Sequence, residues 1–508
     1  MVLVRDSWAE AATGVLSAAV TVGVGEALAA FVRPEASPVI AVGNRVVLLT
    51  PESAKRATID SVGTADKTLL LGAIYVLLAL AGVFIGRLAR RDLRAGVAAV
   101  LVLGAFASWC ALTASAGEGR DVIPSVGGTV AGAAVLVTLV RAARRRDARG
   151  EGPNRRTFLL AAGSSAALAA VAGFGGRAAQ HARFDVAAAR RRVRLPAAAG
   201  PTAVPAGAEL GRSSVPWATP SSRFYRIDTA LTVPQVDPDS WRLHVFGAVD
   251  RELTLTFADL LARPQISRWI TLCCVSNGVG GSLVGNALWQ GVRLADLLRE
   301  CGIAADADQL LLTSVDGFSF GAPTAVVMDG RDALLAVGMN GRPLPLEHGF
   351  PVRTVVPGLY GYVSACKWIT SIKATSFQDE PAYWVQQGWA ARPAIKLASR
   401  IDTPRPGRSV TAGETVTVAG VAWDQHVGVS KVEVQVDDGP WRPARLAAVP
   451  STDTWRQWVF EWRPERTGSV RLQVRATDAR GVRQDEHRAA AFPDGATGLH
   501  EVSVQVTA

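Results

Sequence analysis

Residues 271–294 read TLCCVSNGVGGSLVGNALWQGVRL. An apolar run ends at two adjacent thiols, Cys273 and Cys274, and hands over to a glycine-rich loop that carries Asn277. Neighbouring cysteines rarely pair, because the ring they would close is strained. Thiolate is the soft ligand among side chains. Glycines let backbone N–H groups come close to a bulky or anionic group. One or two thiols without a nearby histidine do not suit tetrahedral zinc, and an iron–sulfur cluster needs more cysteines. What fits is a metal that takes one protein thiolate and draws its other ligands from a cofactor. The plain alternative is a free cysteine packed as a small hydrophobe.

A second stretch, residues 339–369, reads MNGRPLPLEHGFPVRTVVPGLYGYVSACKWI. It sets His348, Arg353 and Lys367 in a rigid Pro/Gly backbone. Arginine grips phosphate through two parallel bonds and lysine binds it as a point charge. His348 can donate to a heterocycle or to phosphate. Taken singly, each is an ordinary surface charge; together they describe a fixed anion pocket.

The chain around these stretches has 508 residues, enough for two to four domains. It is 49% hydrophobic, with a mean hydropathy of +0.20. Five cysteines (Cys110, Cys273, Cys274, Cys301 and Cys366) are too few and too scattered for a disulfide framework. The net charge is +10, mostly from arginine. Arginine blocks beside apolar runs point to membrane topology signals. Basic residues are not interleaved with aromatics, so no nucleic-acid partner is expected.

Residues 1–176 hold five apolar runs of spanning length, at about 11–32, 68–86, 95–114, 122–140 and 158–176. Glu26 interrupts the first. The connection GRLARRDLR (86–94) carries four arginines and RAARRRDARGEGPNRRT (141–157) carries seven, whereas only Arg120 separates runs three and four. Positive loops stay inside, so the N-terminus is expected inside and everything after about residue 177 outside the cytoplasm. Arg190, Arg191, Arg192 and Arg194 pull against that orientation. The fifth run opens with Arg155-Arg156-Thr157-Phe158-Leu159, similar to a twin-arginine export signal; a simple positive-inside stop is the alternative. Residues 1–180 contain no histidine, and no methionine beyond Met1, so no haem is expected there.

Residues 177–204 read as a linker, and 205–400 as globular α+β chain without a Rossmann fingerprint. Thr256 with Asp259 three residues on has the pattern of a capping box before a short helix. RWITLCC (268–274) reads as a buried strand. Beyond 400, TVTVAGVAW, KVEVQVDDG, SVRLQVRATD and EVSVQVT alternate apolar and polar residues between turns, which predicts a β-sandwich over 401–508.

The two quoted stretches together resemble the sulfite-oxidase family of molybdopterin enzymes. C-V-S-N at 274–277 matches that family's ligand motif, and the 339–369 stretch is similar to its other signature. Trp289 to Leu298 also fits. The resemblance covers roughly residues 205–508. With the apolar runs, which give an N-terminal α-helical transmembrane region, the chain is multi-domain: the resemblance implies an α+β molybdopterin-binding domain and a C-terminal immunoglobulin-like β-sandwich of the dimerisation type. It implies a molybdenum–molybdopterin centre with one dithiolene, one Cys thiolate and oxo groups, which transfers an oxygen atom and two electrons. It places Cys274 on molybdenum as ligand and catalytic residue. Asn277, His348, Arg353, Ser364 and Lys367 would hold the pterin or its phosphate, with Phe224, Tyr225 and Arg226 (in SSRFYRID) as an early cofactor-contacting segment. Asp228 belongs to that segment too, although its spacing to the next Val-Pro differs. An export signal for folded proteins suits a cofactor inserted before translocation.

The match fails where substrate would bind. Sulfite oxidases follow the ligand motif with two arginines; here Gly278 and Val279 stand there. Their active-site tyrosine corresponds to Phe320. Losing buried charge complementarity costs about 2–5 kcal/mol of binding, which argues against sulfite; a neutral or larger substrate, such as a sulfoxide or another oxygen acceptor, fits at least as well. The expectation is therefore a membrane-anchored enzyme facing away from the cytoplasm, exchanging electrons with a separate cytochrome or quinone-linked partner. A non-catalytic scaffold that keeps the fold is the rival from another class.

Overall fold

The computed structural model describes residues 2–50, 66–114, 117–149, 153–183, 185–211, 215–228 and 230–508. The chain forms two compact units, Met1–Asp185 with Asp228–Pro234, and Val186–Ile227 with Gln235–Ala508.

The first unit is helical: α1 (Val2–Ala29), α2 (Pro38–Leu49), α3 (Asp66–Arg91), α4 (Leu93–Leu112), α5 (Val122–Arg149) and α6 (Pro153–Arg183). Five of its segments are long and apolar enough to cross a membrane: Trp8–Ala29, Lys67–Arg91, Leu93–Leu112, Gly119–Arg144 and Arg156–Gln180. They match the five runs expected. At twelve residues, α2 is too short to span. Helix α1 packs on α3, α5 and α6. It does so through small residues, which let helix backbones approach closely when no water is present to drive apolar association. A Cβ at Gly14 would collide with the Gly82 carbonyl, one at Gly86 with the Glu10 carbonyl, and one at Gly128 with the Thr21 carbonyl. Ser17 donates to the Gly132 carbonyl at 2.9 Å. Glu26, the residue that interrupts the first run, is buried and accepts from the Ser37 hydroxyl at 2.7 Å. Large apolar side chains such as Val76, Leu80, Phe84, Val171 and Phe174 cover the outer face.

The second unit has four sheets. One runs in the order Ala198–Ala199, Gln265–Cys273, Val284–Arg293, Leu334–Met339, Arg353–Val355, with Arg342–Pro343 paired to Leu334–Met339. A second runs Leu253–Thr256, Arg242–Gly247, Ile369–Thr375, Gln309–Ser314, Ser319–Pro323. Its Ile369–Thr375 strand lies parallel to Arg242–Gly247 and antiparallel to Gln309–Ser314, which makes the sheet mixed. Thr256 caps the helix Phe257–Ala262 in the reciprocal box its spacing predicts, accepting from the Asp259 amide at 3.1 Å. Two further sheets, led by Ala398–Thr403 and Ser409–Thr411, share one core of Ile401, Val418, Trp458, Val432, Leu472 and Val504. This is the expected immunoglobulin-like sandwich. Part of the segment read as linker is ordered: Val186–Arg192 is a helix, and Arg190 donates to the Leu344 carbonyl at 2.5 Å and the Pro343 carbonyl at 2.6 Å. That arginine is tied into the second unit, which is reason enough for its presence there without a topology signal.

Candidate functional site

The strand Gln265–Cys273 pairs antiparallel with Val284–Arg293, and the loop between them carries Cys274. Side chains alternate along a strand, so the two thiols part company. Cys273 is buried in a cluster with Trp269, Tyr360 and Trp389, while Cys274 stays half-exposed at the loop's start. All five cysteines are free. Cys274 N donates to the Leu283 carbonyl at 2.9 Å, and Asn277 Oδ1 accepts from the Leu283 amide at 2.8 Å. Asn277 thus closes the loop that presents Cys274. Burial raises the Cys274 thiol above its ordinary value, and hydrogen bonds from Ser276 pull it partly back.

Three other segments converge on this loop. The Phe224 ring stacks on Tyr225 at 5.1 Å and meets Trp289 and His348 edge-on at 5.7 Å. Gly285 makes room for it, since a Cβ there would lie 2.8 Å from the ring. The Tyr225 phenol is pushed far up by burial and by the negative charge that Cys274 and Cys273 would carry, against a pull from Arg353. It therefore stays protonated, an O–H beside the thiol. A side chain at Gly361 would sit 3.7 Å from both the Tyr225 hydroxyl and the Cys273 carbonyl, which brings the second signature into the same place.

His348 is buried, and its Nε2 lies 3.0 Å from the Ser221 carbonyl. A carbonyl only accepts, so Nε2 carries the proton and Nδ1 is left as an acceptor. Burial, then Arg353, hold the imidazole down to about 4, so it is neutral at pH 7. The sequence reading has His348 as a donor to the ligand; with this proton on the backbone carbonyl, Nδ1 remains as an acceptor.

Arg353 is 5% exposed and lies 5.0 Å from the Trp289 ring centroid. Its donors reach only carbonyls, those of Thr354 and His348 at 3.3 Å and of Ala365 at 3.4 Å. Among the described residues no carboxylate comes within ion-pair distance of it. Burial pulls the guanidinium down to about 10, still charged at pH 7. An isolated charge is expensive to bury. Here it faces the site without a counter-anion, and its backbone pairs with that of Lys367. Lys367 Nζ donates to the Ile227 carbonyl at 2.9 Å. The donor set fits an anionic group such as a phosphate.

Ser364 is buried, its hydroxyl lying 3.0 Å from the Tyr360 carbonyl and 3.1 Å from that of Leu359. Arg226 is exposed at the end of its segment, and Asp228 belongs to the first unit. Phe320 lies in Ser319–Pro323, a strand beside the helix Gly361–Ser364. Gly278 is exposed and Val279 half-buried, so these positions bring no charge. Sequence reasoning missed Trp289 as the ring beneath Arg353; the resemblance over Trp289 to Leu298 marked its position but not its partner.

A thiol at the head of a glycine-rich loop, with a buried guanidinium over Trp289 of the strand that follows the loop, suits a molybdopterin-binding oxidoreductase domain. Residues 230–384 match the family described as oxidoreductase molybdopterin binding domain, and 398–474 match the bacterial Ig domain. The chain is 33% identical over 305 residues to mitochondrial sulfite oxidase of Homo sapiens, covering 50% of this chain and 55% of that protein. It is 35% identical over 156 residues to YuiH, an uncharacterized oxidoreductase of Bacillus subtilis, covering 31% of this chain and 75% of that protein. The crystal structure of the sulfane dehydrogenase SoxCD from Paracoccus pantotrophus shares the fold, with a TM-score of 0.50 and 22% identity over 62% of this chain and 93% of that one. The chain belongs to the sulfite-oxidase family of molybdopterin oxidoreductases. It spans about half the length of the sulfite oxidases it matches.

Proposed function

We propose that this protein is a membrane-anchored molybdenum oxidoreductase whose catalytic unit faces away from the cytoplasm. Cys274 is the protein's ligand to molybdenum. Arg353 and Lys367 hold the pterin phosphate, and His348 offers an acceptor nitrogen to the heterocycle. Asn277 fixes the ligand loop, while Phe224, Tyr225, Arg226 and Ser364 frame the pterin. When bound, the centre supplies oxygen-atom transfer coupled to two electrons. The chain's own residues fix the thiolate, neutralise the phosphate and keep a protonated phenol beside the sulfur. The observation that carries this reading is the buried, charged Arg353, which among the described residues has backbone carbonyls and the Trp289 ring as partners and no carboxylate. Protein made in a molybdenum-replete host is expected to hold about one molybdenum per chain; a folded protein with none would leave the scaffold reading in its place.

The uncharged Gly278 and Val279 and the ring of Phe320 favour a small neutral substrate over the sulfite dianion. A reduced viologen dye should then be oxidised by methionine sulfoxide faster than an oxidised dye is reduced by sulfite; the opposite ranking would restore a sulfite-type oxidase. The five apolar helices and the arginine-rich connections support an anchor with the second unit outside. Electrons pass to or from a separate cytochrome or quinone-linked partner, and the sandwich domain is the place for a homodimer contact. Arg155 and Arg156 fall in the first turn of α6. Changing both to lysine keeps their charge, so it should strand the second unit inside only if they act as an export signal. Protease protection in spheroplasts reads the result, and unchanged accessibility would reduce the pair to a positive-inside stop.

A further inference from the structure

The loop 274–283 contains Gly278, Gly280 and Gly281, and glycine has the most backbone freedom to lose on ordering. Its internal bonds, Cys274 to Leu283, Asn277 to Leu283 and Gly281 N to the Gly278 carbonyl at 2.8 Å, close the loop on itself. They do not fix it against the rest of the molecule. Among the described residues, the side-chain hydrogen bond that reaches its backbone from a distant part of the chain comes from the C-terminal sandwich. Arg400, 7% exposed, donates from Nη1 to the Gly281 carbonyl at 2.7 Å. Its Nε is paired with Asp402 at 2.7 Å, which leaves the guanidinium little freedom to turn. The His500 ring lies so close to Gly280 that a Cβ there would collide with it, and His500 Nδ1 accepts from the Ile401 amide at 3.0 Å.

The same domain grips the strand that leads into the loop. Thr271 donates its amide to the Asp453 carbonyl at 2.9 Å and accepts at Oγ1 from the Trp455 amide at 2.7 Å. Gln425 Nε2 donates to the Thr271 carbonyl at 3.2 Å. Cys273 and Val275 share one apolar cluster with Val421, Trp423 and Trp455.

We infer that the immunoglobulin-like domain forms the rear support of the catalytic centre, and that Arg400 is a positioning residue which sets the Cys274 loop. The inference rests on the functional reading above for its kinetic part only. Arg400 touches no reacting atom; it acts through the Gly281 carbonyl. Its planar fork holds Asp402 and Gly281 at once, which a lysine cannot reproduce fully.

The test uses the full-length protein in detergent, as isolated, with Arg400→Ala and Arg400→Lys. In Arg400→Ala, amide hydrogen exchange of peptides covering 274–283 should quicken about tenfold, while peptides from 284–293 keep the parent rate. In the molybdenum-loaded protein, kcat should fall about tenfold with KM nearly unchanged, because misplacement of a reacting group is felt in the chemical step. Arg400→Lys should recover part of both. Loop exchange and kcat both at the parent level in Arg400→Ala would overturn the inference. Should Arg400→Ala fail to fold because the buried Asp402 loses its ion pair, the double variant Arg400→Met/Asp402→Leu removes both charges and is read the same way. A parent without molybdenum would sink the functional reading, yet the exchange measurement would still decide for or against the clamp.

Discussion

Replacing Cys274 with serine should abolish turnover and remove the protein sulfur from the molybdenum K-edge absorption spectrum. Losing an outer-shell partner of a metal ligand costs about 10–100-fold in affinity or activity, so loss of the ligand should cost at least about 100-fold. The adjacent thiol makes the control sharp. Cys273 lies one residue away but on the other face of the strand, buried among aromatic rings. Cys273→Ala should therefore lower thermal stability and leave the spectrum and the turnover of folded protein intact. A Cys274→Ser protein that retains the sulfur signal would show that the ligand is another residue, and the reading of this site would be wrong.

The second large effect is expected at Arg353. Removing one partner of a buried charge pair costs about 2–5 kcal/mol, roughly a 30- to several-thousand-fold loss of affinity. Arg353→Met should therefore release the cofactor, measured as pterin and molybdenum left after dialysis. The apo protein should fare differently. The guanidinium makes only long bonds to carbonyls, 3.3–3.4 Å, and no ion pair among the described residues. Replacing a buried charge with an apolar side chain of similar volume is often neutral or stabilising, so the melting temperature of the apo variant should match or exceed that of the apo parent. A purely structural arginine would give the reverse: a less stable protein that still holds its cofactor. Arg353→Lys should fall between, because it keeps the charge and loses the fork.

What the sequence revealed depended on distance along the chain. The strand into Cys273, the box at Thr256 and Asp259, and the alternation of TVTVAGVAW or EVSVQVT are local patterns, and the structure has each as expected. The five long apolar runs were legible for the same reason. Glu26 disturbed the first run only because Ser37, its partner, lies eleven residues on, at the N-cap of a helix too short to register as a span. Contacts across long separations left no mark. Arg190 read as a membrane signal because nothing nearby shows that it ends on the carbonyls of Pro343 and Leu344. Arg400 looked like any strand arginine, yet its partner, Gly281, is 119 positions away. His348 is marked by its motif, but its proton count depends on Ser221, which no pattern connects to it.

Trp217, Trp269 and Trp455 lie in one continuous cluster, although the first two precede residue 400 and the third follows it. Trp217 Nε1 donates to the Trp455 carbonyl at 3.3 Å, and Trp455 Nε1 returns the bond to the Trp217 carbonyl at 2.9 Å. The boundary that family matching draws near residue 400 is thus not a seam at which evolution or an engineer could exchange cassettes. A graft of either half onto a foreign partner would bare indole surfaces that here pack on and hydrogen-bond to each other.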